Sequence, residues 1–263
     1  MPYAGGKQAI ADRIVALLPE HTHYVEPYAG ALAVLLAKPP STIETVNDLD
    51  QHLVTFWRVL RDRPDDLARV CALTPHSRAE LRAATPRPDD LDEVEVARRV
   101  WVRLTQARAA SIRDDKATGW RFVQGSRMAA AAYLDGYVQR ITPAAERLRR
   151  VSLECRPALD VIADYGTHPH VCLYVDPPYL GDTRASDLYR YEMKSGAEHR
   201  ALLDALLGCR AAVVLSGYTH PLYEDALAGW DRHQFATLSQ ASTARVETVW
   251  CNRPPTDRLF HEG

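Results

Sequence analysis

Five mostly apolar residues, Val171-Cys172-Leu173-Tyr174-Val175, run straight into Asp176-Pro177-Pro178-Tyr179. Three of the five are β-branched or aromatic, and two prolines cannot continue a hydrogen-bonded ladder. The stretch therefore reads as a buried strand stopped at its carboxyl end. In an open α/β sheet, that end is where ligands bind.

The residues at the stop suit one chemistry. The lone pair of an exocyclic amine on a nucleobase is delocalised into the ring, so an enzyme acting on it must hold both N–H bonds while the nitrogen turns pyramidal. Asp176 can accept one hydrogen bond through its carboxylate and Pro177 another through its backbone carbonyl. Pro178 helps to fix the turn, and Tyr179 offers a flat face for an unstacked base. The competing reading is a tight surface turn after a strand.

With 263 residues the chain can bury a sizeable core, either as one large α/β domain or as a core with an insertion. A net charge of -2 gives no global sign of a polyanionic partner, so any basic surface must be local. The five cysteines are scattered and never spaced Cys-x-x-Cys, which predicts free thiols in a reducing cytoplasm. His21-x-His23 and His168-x-His170 read as loop histidines, and no metal site is expected. Neither a signal peptide nor a membrane-spanning run is expected.

Toward the amino terminus, Tyr3-Ala4-Gly5-Gly6-Lys7 is a glycine turn with an aromatic and a cation at its edges, and a helix is predicted over Gln8 to Leu18. The glycines let backbone approach a ligand, and Lys7 could meet a carboxylate. Tyr24-Val25-Glu26-Pro27-Tyr28-Ala29-Gly30-Ala31, followed by the apolar run Leu32 to Ala37, reads as a strand, a small-residue turn and a helix. Such a turn seats a small molecule at the helix amino terminus. A lone Gly30 is not the dinucleotide fingerprint, and there is no Lys-Ser phosphate loop, which excludes a nicotinamide or ATP site. A second strand, Thr45-Val46-Asn47, ends at Asp48. An acid about 20 residues after the first glycine turn is placed to grip a ribose. The alternative is a cap for the helix predicted over Gln51 to Arg61, whose Leu53, Phe56, Trp57 and Leu60 form an apolar stripe. Asp50 suits the capping role better, which leaves Asp48 for the ribose.

Tyr-x-Gly-Gly-Lys, Val-Glu-Pro-Tyr-Ala-Gly, Asn-Asp-Leu-Asp and the distant Tyr-Val-Asp-Pro-Pro-Tyr together resemble the Dam-type N6-adenine DNA methyltransferases, in the order that family uses. Leu215-Ser216-Gly217-Tyr218 and Glu247 to Asn252 are similar to phage and restriction-system members of it. The resemblance implies an α/β fold class, with a Rossmann-like methyltransferase core on a mixed seven-stranded sheet and S-adenosyl-L-methionine as cofactor. On the matching positions, Tyr3 and Lys7 would line the methionine end, Glu26, Pro27, Tyr28, Ala29 and Gly30 the floor, and Asp48 the ribose. Asp160 would hold the exocyclic amine of the cofactor's adenine and Val161 one face of it, the alternative being a plain helix start capped by Asp160. Asp176, Pro177, Pro178 and Tyr179 would be catalytic, with Asp176 bordering the cofactor as well. Tyr28 stands where the family often has phenylalanine, and Ala31 and Leu32 follow Gly30 where a second glycine is common.

After Arg61 the strand-like runs stop. Short helices are expected over Asp65 to Leu81, a helix over Val94 to about Ala110, and a polar loop or hairpin over Ser111 to Arg127. Between Ala97 and Arg150, twelve arginines and lysines meet four acids, a local excess of eight positive charges. Residues 62–150 are expected to form a mostly helical DNA-recognition insertion, and 1–61 with 151–263 the catalytic core. In the insertion, Arg113, Lys116, Arg121 and Arg127 would meet phosphates or guanine edges of double-stranded DNA, with Trp120 or Phe122 wedging near an extruded base. The competing reading is a solvated helical face.

Beyond Tyr179, a polar loop over Leu180 to Gly196, a helix over Ala197 to Leu207 and a strand over Ala211 to Leu215 are predicted. Tyr218 would help wall the base pocket, and Trp230 to Leu238 with Arg245 to Cys251 would close the sheet as an antiparallel pair. The expected reaction is methyl transfer to adenine N6 after base flipping. Cytosine N4 methylation and a catalytically silent DNA-binding relative are the rivals. The recognition sequence, a cognate restriction enzyme and the oligomeric state stay open.

Overall fold

The structure, a computed structural model, describes residues 6–86, 90–108, 119–121, 130–180, 193, 195–238 and 244–255. In chain order its elements are α1 (Ala11–Val15), β1 (His23–Glu26), α2 (Ala33–Ala37), β2 (Ile43–Asn47), α3 (Gln51–Asp62), α4 (Pro64–Ala72), α5 (Arg78–Ala83), α6 (Glu93–Gln106), α7 (Ala130–Val138), α8 (Ile141–Leu148), β3 (Val151–Glu154), α9 (Ala158–Tyr165), β4 (Val171–Val175), α10 (Gly196–Leu207), β5 (Ala212–Gly217), α11 (Pro221–Ala226), β6 (Asp231–Leu238) and β7 (Ala244–Cys251). The strands form one seven-stranded mixed sheet in the order β3-β2-β1-β4-β5-β7-β6.

The chain packs as two compact units. One holds Gly6 and the described residues between Asp48 and Cys155; the other holds Lys7–Asn47 and the described residues from Arg156 onward. The sequence drew the boundary at residue 62, but α3 belongs with the helices. Its stripe of Leu53, Phe56, Trp57 and Leu60 is buried, and α3 packs against α4, α6 and α8. Asp50 caps α3, accepting the N–H groups of His52 and Leu53.

In the other unit β1 pairs in parallel with β2 on one side and β4 on the other, and β4 pairs in parallel with β5. Strand β7 then runs antiparallel between β5 and β6. All five residues of β4 and all six of β5 are buried, the mark of strands covered on both faces. Val25, Leu173, Val175, Val213 and Leu215 pack with Val161 and Ile162 of α9, Leu202 and Leu206 of α10, and Trp250 of β7. Each such side chain contributes roughly 1.5–3 kcal/mol on burial. From the central pair, β1 leads through α2 to β2 on one side, while β4 leads through α10 to β5 on the other. The carboxyl ends of β1 and β4 thus form a topological switch point, where open α/β sheets bind ligands.

Several elements differ from the sequence-based expectation. Helix α1 is only Ala11–Val15, because Ile10 leaves helical geometry (φ -128) with no side-chain cap. Helix α6 stops at Gln106, since Ala107 turns extended and bridges to Trp120. Helices α7 and α8 and strand β3 were not anticipated. Among the described residues, no helix is long and apolar enough to cross a membrane.

Candidate active site

The turn after β1 brings the first acid to the switch point. Gly30 takes a positive φ of 47, and Leu32, at φ 54 and ψ 33, does the same as the residue before α2. A left-handed leucine costs roughly 1–2 kcal/mol, and here its side chain is fully buried, which holds it in place. The turn that a second glycine would ease is thus made by a strained leucine. Glu26, at the end of β1, is buried beneath it: Oε1 accepts the Tyr24 hydroxyl at 2.7 Å and the Leu35 N–H at 2.9 Å. Burial, with Asp176 adding to it, pushes the Glu26 carboxyl up to about 8, against the pull of those two donors.

Asn47, the last residue of β2, closes the floor. Its Nδ2 donates to the carbonyls of Pro27 (2.9 Å) and Arg156 (3.0 Å), and its Oδ1 accepts the Arg156 N–H at 3.0 Å. Its own carbonyl accepts the Ala29 N–H at 2.8 Å. The turn after β1 and the entry to α9 are therefore tied to one side chain.

Past β4, Pro177 and Pro178 end the ladder and Asp176 faces Lys7. The Lys7 ammonium donates to both Asp176 oxygens, at 2.7 and 2.9 Å, and to the Tyr179 hydroxyl. It also lies 3.6 Å from Glu247 Oε1 on β7. The Tyr179 hydroxyl in turn donates to Glu247, 3.1 and 3.2 Å from its two oxygens. The Asp176 side chain keeps 21% exposure, whereas Lys7 and Glu247 are buried. Burial raises the Asp176 carboxyl while Lys7 opposes the rise. Burial likewise lifts Glu247 to about 7, with Lys7 and the Tyr179 hydroxyl pulling it down and Asp176 pushing it up. The ring of Tyr218, just past β5, lies 4.3 Å from that of Tyr179 at 32°. Tyr179, Leu180, Gly217, Tyr218 and Tyr223 line a small cleft.

The residues singled out from the sequence fare unequally. Lys7, Asp176 and Tyr179 come together, and Glu26 ends the strand beside Asp176's. The Tyr28 hydroxyl donates to the Met193 sulfur at 3.5 Å. Val161 is buried in the core and Asp160 is exposed on the first turn of α9. The capping alternative for Asp160 is not realised, since Pro157 stands at the cap position. Asp48, in the other unit, accepts the Asp50 N–H at 2.9 Å. Tyr3 lies outside the described residues. Glu247 and Asn47 were not recognised as site residues. For Glu247 the signal was an acid in an otherwise strand-like run, a residue type rarely buried without a partner.

In the helical unit, Arg113, Lys116, Phe122 and Arg127 lie outside the described residues. Trp120 stacks on His76 with ring centroids 4.4 Å apart and has the Arg78 guanidinium 4.6 Å from its ring. Arg121 lies 5.3 Å from the ring of Tyr133, and its N–H donates to the Gln106 carbonyl at 2.7 Å. The basic excess counted between Ala97 and Arg150 overstates the charge on offer. Arg98 pairs with Glu80 and Glu95, Arg99 pairs with Glu95, and Arg103 is buried. Both acids lie outside that window. Among the described residues, no group of three or more histidines, cysteines and acids could hold a metal ion.

The family model described as D12 class N6 adenine-specific DNA methyltransferase matches residues 3–221. No curated protein matches the chain. Among solved structures, it is similar to a putative methyltransferase from Streptococcus mutans in complex with SAH, at 9% identity over 93% of this chain and 96% of that one, TM-score 0.36. It is also similar to the rRNA methyltransferase AviRa from Streptomyces viridochromogenes, at 15% identity over 92% and 82%, TM-score 0.36. A third is the precorrin 8w decarboxylase of Methanobacterium thermoautotrophicum, at 8% identity over 92% and 88%, TM-score 0.38.

Proposed function

Because the chain belongs to the D12 class of N6 adenine-specific DNA methyltransferases, we propose that Asp176, Pro177, Pro178 and Tyr179 at the end of β4 form the pocket in which the target amine reacts. The enzyme methylates adenine N6 in DNA, with S-adenosyl-L-methionine as the methyl donor. Bound there, that donor supplies a sulfonium-activated methyl group. The charge of the site fits such a cation: two carboxyl groups, Asp176 and Glu247, share the ammonium of Lys7. Glu26 to Gly30 would hold the cofactor against the turn, Lys7 and Tyr3 its amino-acid end, Asp48 its ribose, and Asp160 and Val161 its adenine.

The chain's own part in the chemistry follows from the geometry at the switch point. Lys7 fixes the Asp176 carboxylate from one side and leaves its remaining lone pairs for an amine N–H. The Pro177 carbonyl takes the second N–H, which draws the nitrogen lone pair out of conjugation with the ring. Tyr179, backed by Tyr218, gives an unstacked adenine an aromatic wall. Asp176 need not act as a strong base, since the methylated amine loses its proton readily. The observation that carries this reading is the contact of Lys7 with both Asp176 and Tyr179, residues 169 and 172 positions away in the chain. Asp176→Ala is expected to abolish transfer of tritiated methyl groups to duplex DNA. Full transfer by that variant would overturn the assignment.

The duplex contacts fall to 111–127, with Arg113, Lys116, Arg121 and Arg127 on the backbone or guanine edges and Trp120 near the extruded base. The remaining basic excess of the segment supports this. Five free cysteines support a reducing cytoplasm as the compartment.

A further inference from the structure

We propose that Glu247 is a positioning residue for methyl transfer, setting from strand β7 both the ring of Tyr179 and the grip of Lys7 on Asp176. The proposal rests on the reading of Asp176 and Tyr179 as the amine pocket. Residue 247 lies beyond the stretch 3–221 that the family model matches.

Two facts make the case. First, the Tyr179 hydroxyl sits almost evenly between the two Glu247 oxygens, at 3.1 and 3.2 Å, inside a buried cluster. A phenol drawn out of water needs an acceptor, and a charged one holds it more strongly than a neutral one. The backbone at Pro178 fixes where Tyr179 starts but not where its ring points; the contact with Glu247 adds an anchor beside those of Lys7 and Tyr218. Second, Lys7 lies 2.7 Å from Asp176 and 3.6 Å from Glu247, so the two carboxylates share one ammonium. Without the charge on Glu247, Lys7 would be drawn further toward Asp176 and weaken it as an acceptor for the amine.

The location suits such a role. The β5–β7 pairing reaches Gly217 opposite Thr248, so Glu247 sits one residue past it, where the chain leaves β5 for Tyr218. Its neighbour on β6 is Phe235, which has the Arg13 guanidinium 4.1 Å from its ring centroid. Among the described residues, the ionisable groups facing Glu247 are Lys7, Asp176 and Tyr179.

The test uses the full chain labelled with 13Cζ-tyrosine, as wild type, Glu247→Gln, Tyr179→Phe and the double variant. Loss of one resonance in Tyr179→Phe identifies Tyr179. In Glu247→Gln that resonance is expected to move. The single-turnover methylation rate should fall on the order of tenfold while duplex affinity changes by less than about twofold, because the charge acts on geometry at the reacting amine. In the Tyr179→Phe background the added cost of Glu247→Gln should shrink, as it does for residues acting through one another. An unmoved resonance, a loss confined to duplex affinity, or fully independent losses would overturn the proposal. Should Glu247→Gln fail to fold, Tyr179→Phe removes the same hydrogen bond from the other side. The Glu247 carboxyl, followed by 13C, should then titrate above about 7; an unchanged titration would count equally against it. A wild type that methylates no duplex would sink the reading of the site as an adenine pocket, while the tyrosine resonance would still decide the contact.

Discussion

Substituting Glu26→Gln isolates the cost of keeping an acid inside the turn after β1. The amide oxygen can still accept the Tyr24 hydroxyl and the Leu35 N–H, so the shape and the helix anchor persist. What is lost is the ability to ionise. Burial lifts the carboxyl from its ordinary 4.5 to about 8. At about 1.36 kcal/mol for each pH unit of that rise, ionising Glu26 inside the fold costs on the order of 5 kcal/mol. The sign is set by proton binding: between these two values the folded state holds a proton that the unfolded chain has released. Stability is therefore fully present below about 4.5 and is lost as pH rises through about 8, by up to about 1.4 kcal/mol per pH unit from this group alone. Urea unfolding followed by circular dichroism between about pH 5 and 8.5 measures it. Wild type and Glu26→Gln should be similar in stability at the acid end. At the alkaline end the variant should be the more stable, by on the order of 4–5 kcal/mol. Glu247 tilts both curves alike, so only their divergence is read. Parallel curves over the whole range would refute the reasoning.

Two further outcomes follow from the same contacts. Lys7→Met leaves Asp176 and Glu247 facing each other without a counter-charge, and should cost about 3 kcal/mol at alkaline pH. Thermal melts should show much of that loss recovered near pH 5, where both acids can take up protons; an equal loss at both ends would contradict it. Asp50→Ala removes the acceptor for the His52 and Leu53 N–H groups at the start of α3, and should cost about 1 kcal/mol in urea unfolding.

Local signals in the sequence carried the elements whose determinants are local. Val171 to Val175 before two prolines foretold β4, and Asp50 before the Leu53-Phe56-Trp57-Leu60 stripe foretold α3 and its cap. The antiparallel pair β6 and β7 was legible as two β-like runs. Pairings across the chain were not. Nothing near Lys7 says that its ammonium meets a carboxylate 169 positions on, and nothing near Glu247 names Tyr179. Strand β3 is only four residues long, two of them half-buried, and gives little alternation to read. The basic stripe misled in part because charge was counted along the chain. Folding sets Arg98 and Arg99 against Glu80 and Glu95, which the counted window omits. The left-handed Leu32 shows a related limit: residue type predicts a glycine there, and only the buried side chain explains why a leucine is held in that conformation.

The amide of Asn47 has a wider implication. Because it reaches the carbonyl of Pro27 and both backbone groups of Arg156, two loops far apart in sequence share a single fastener. Any drift in the path of one is passed to the other. The two loops in such a scaffold therefore cannot be reshaped one at a time, and lineages that alter the turn after β1 should carry matching changes at the threshold of α9.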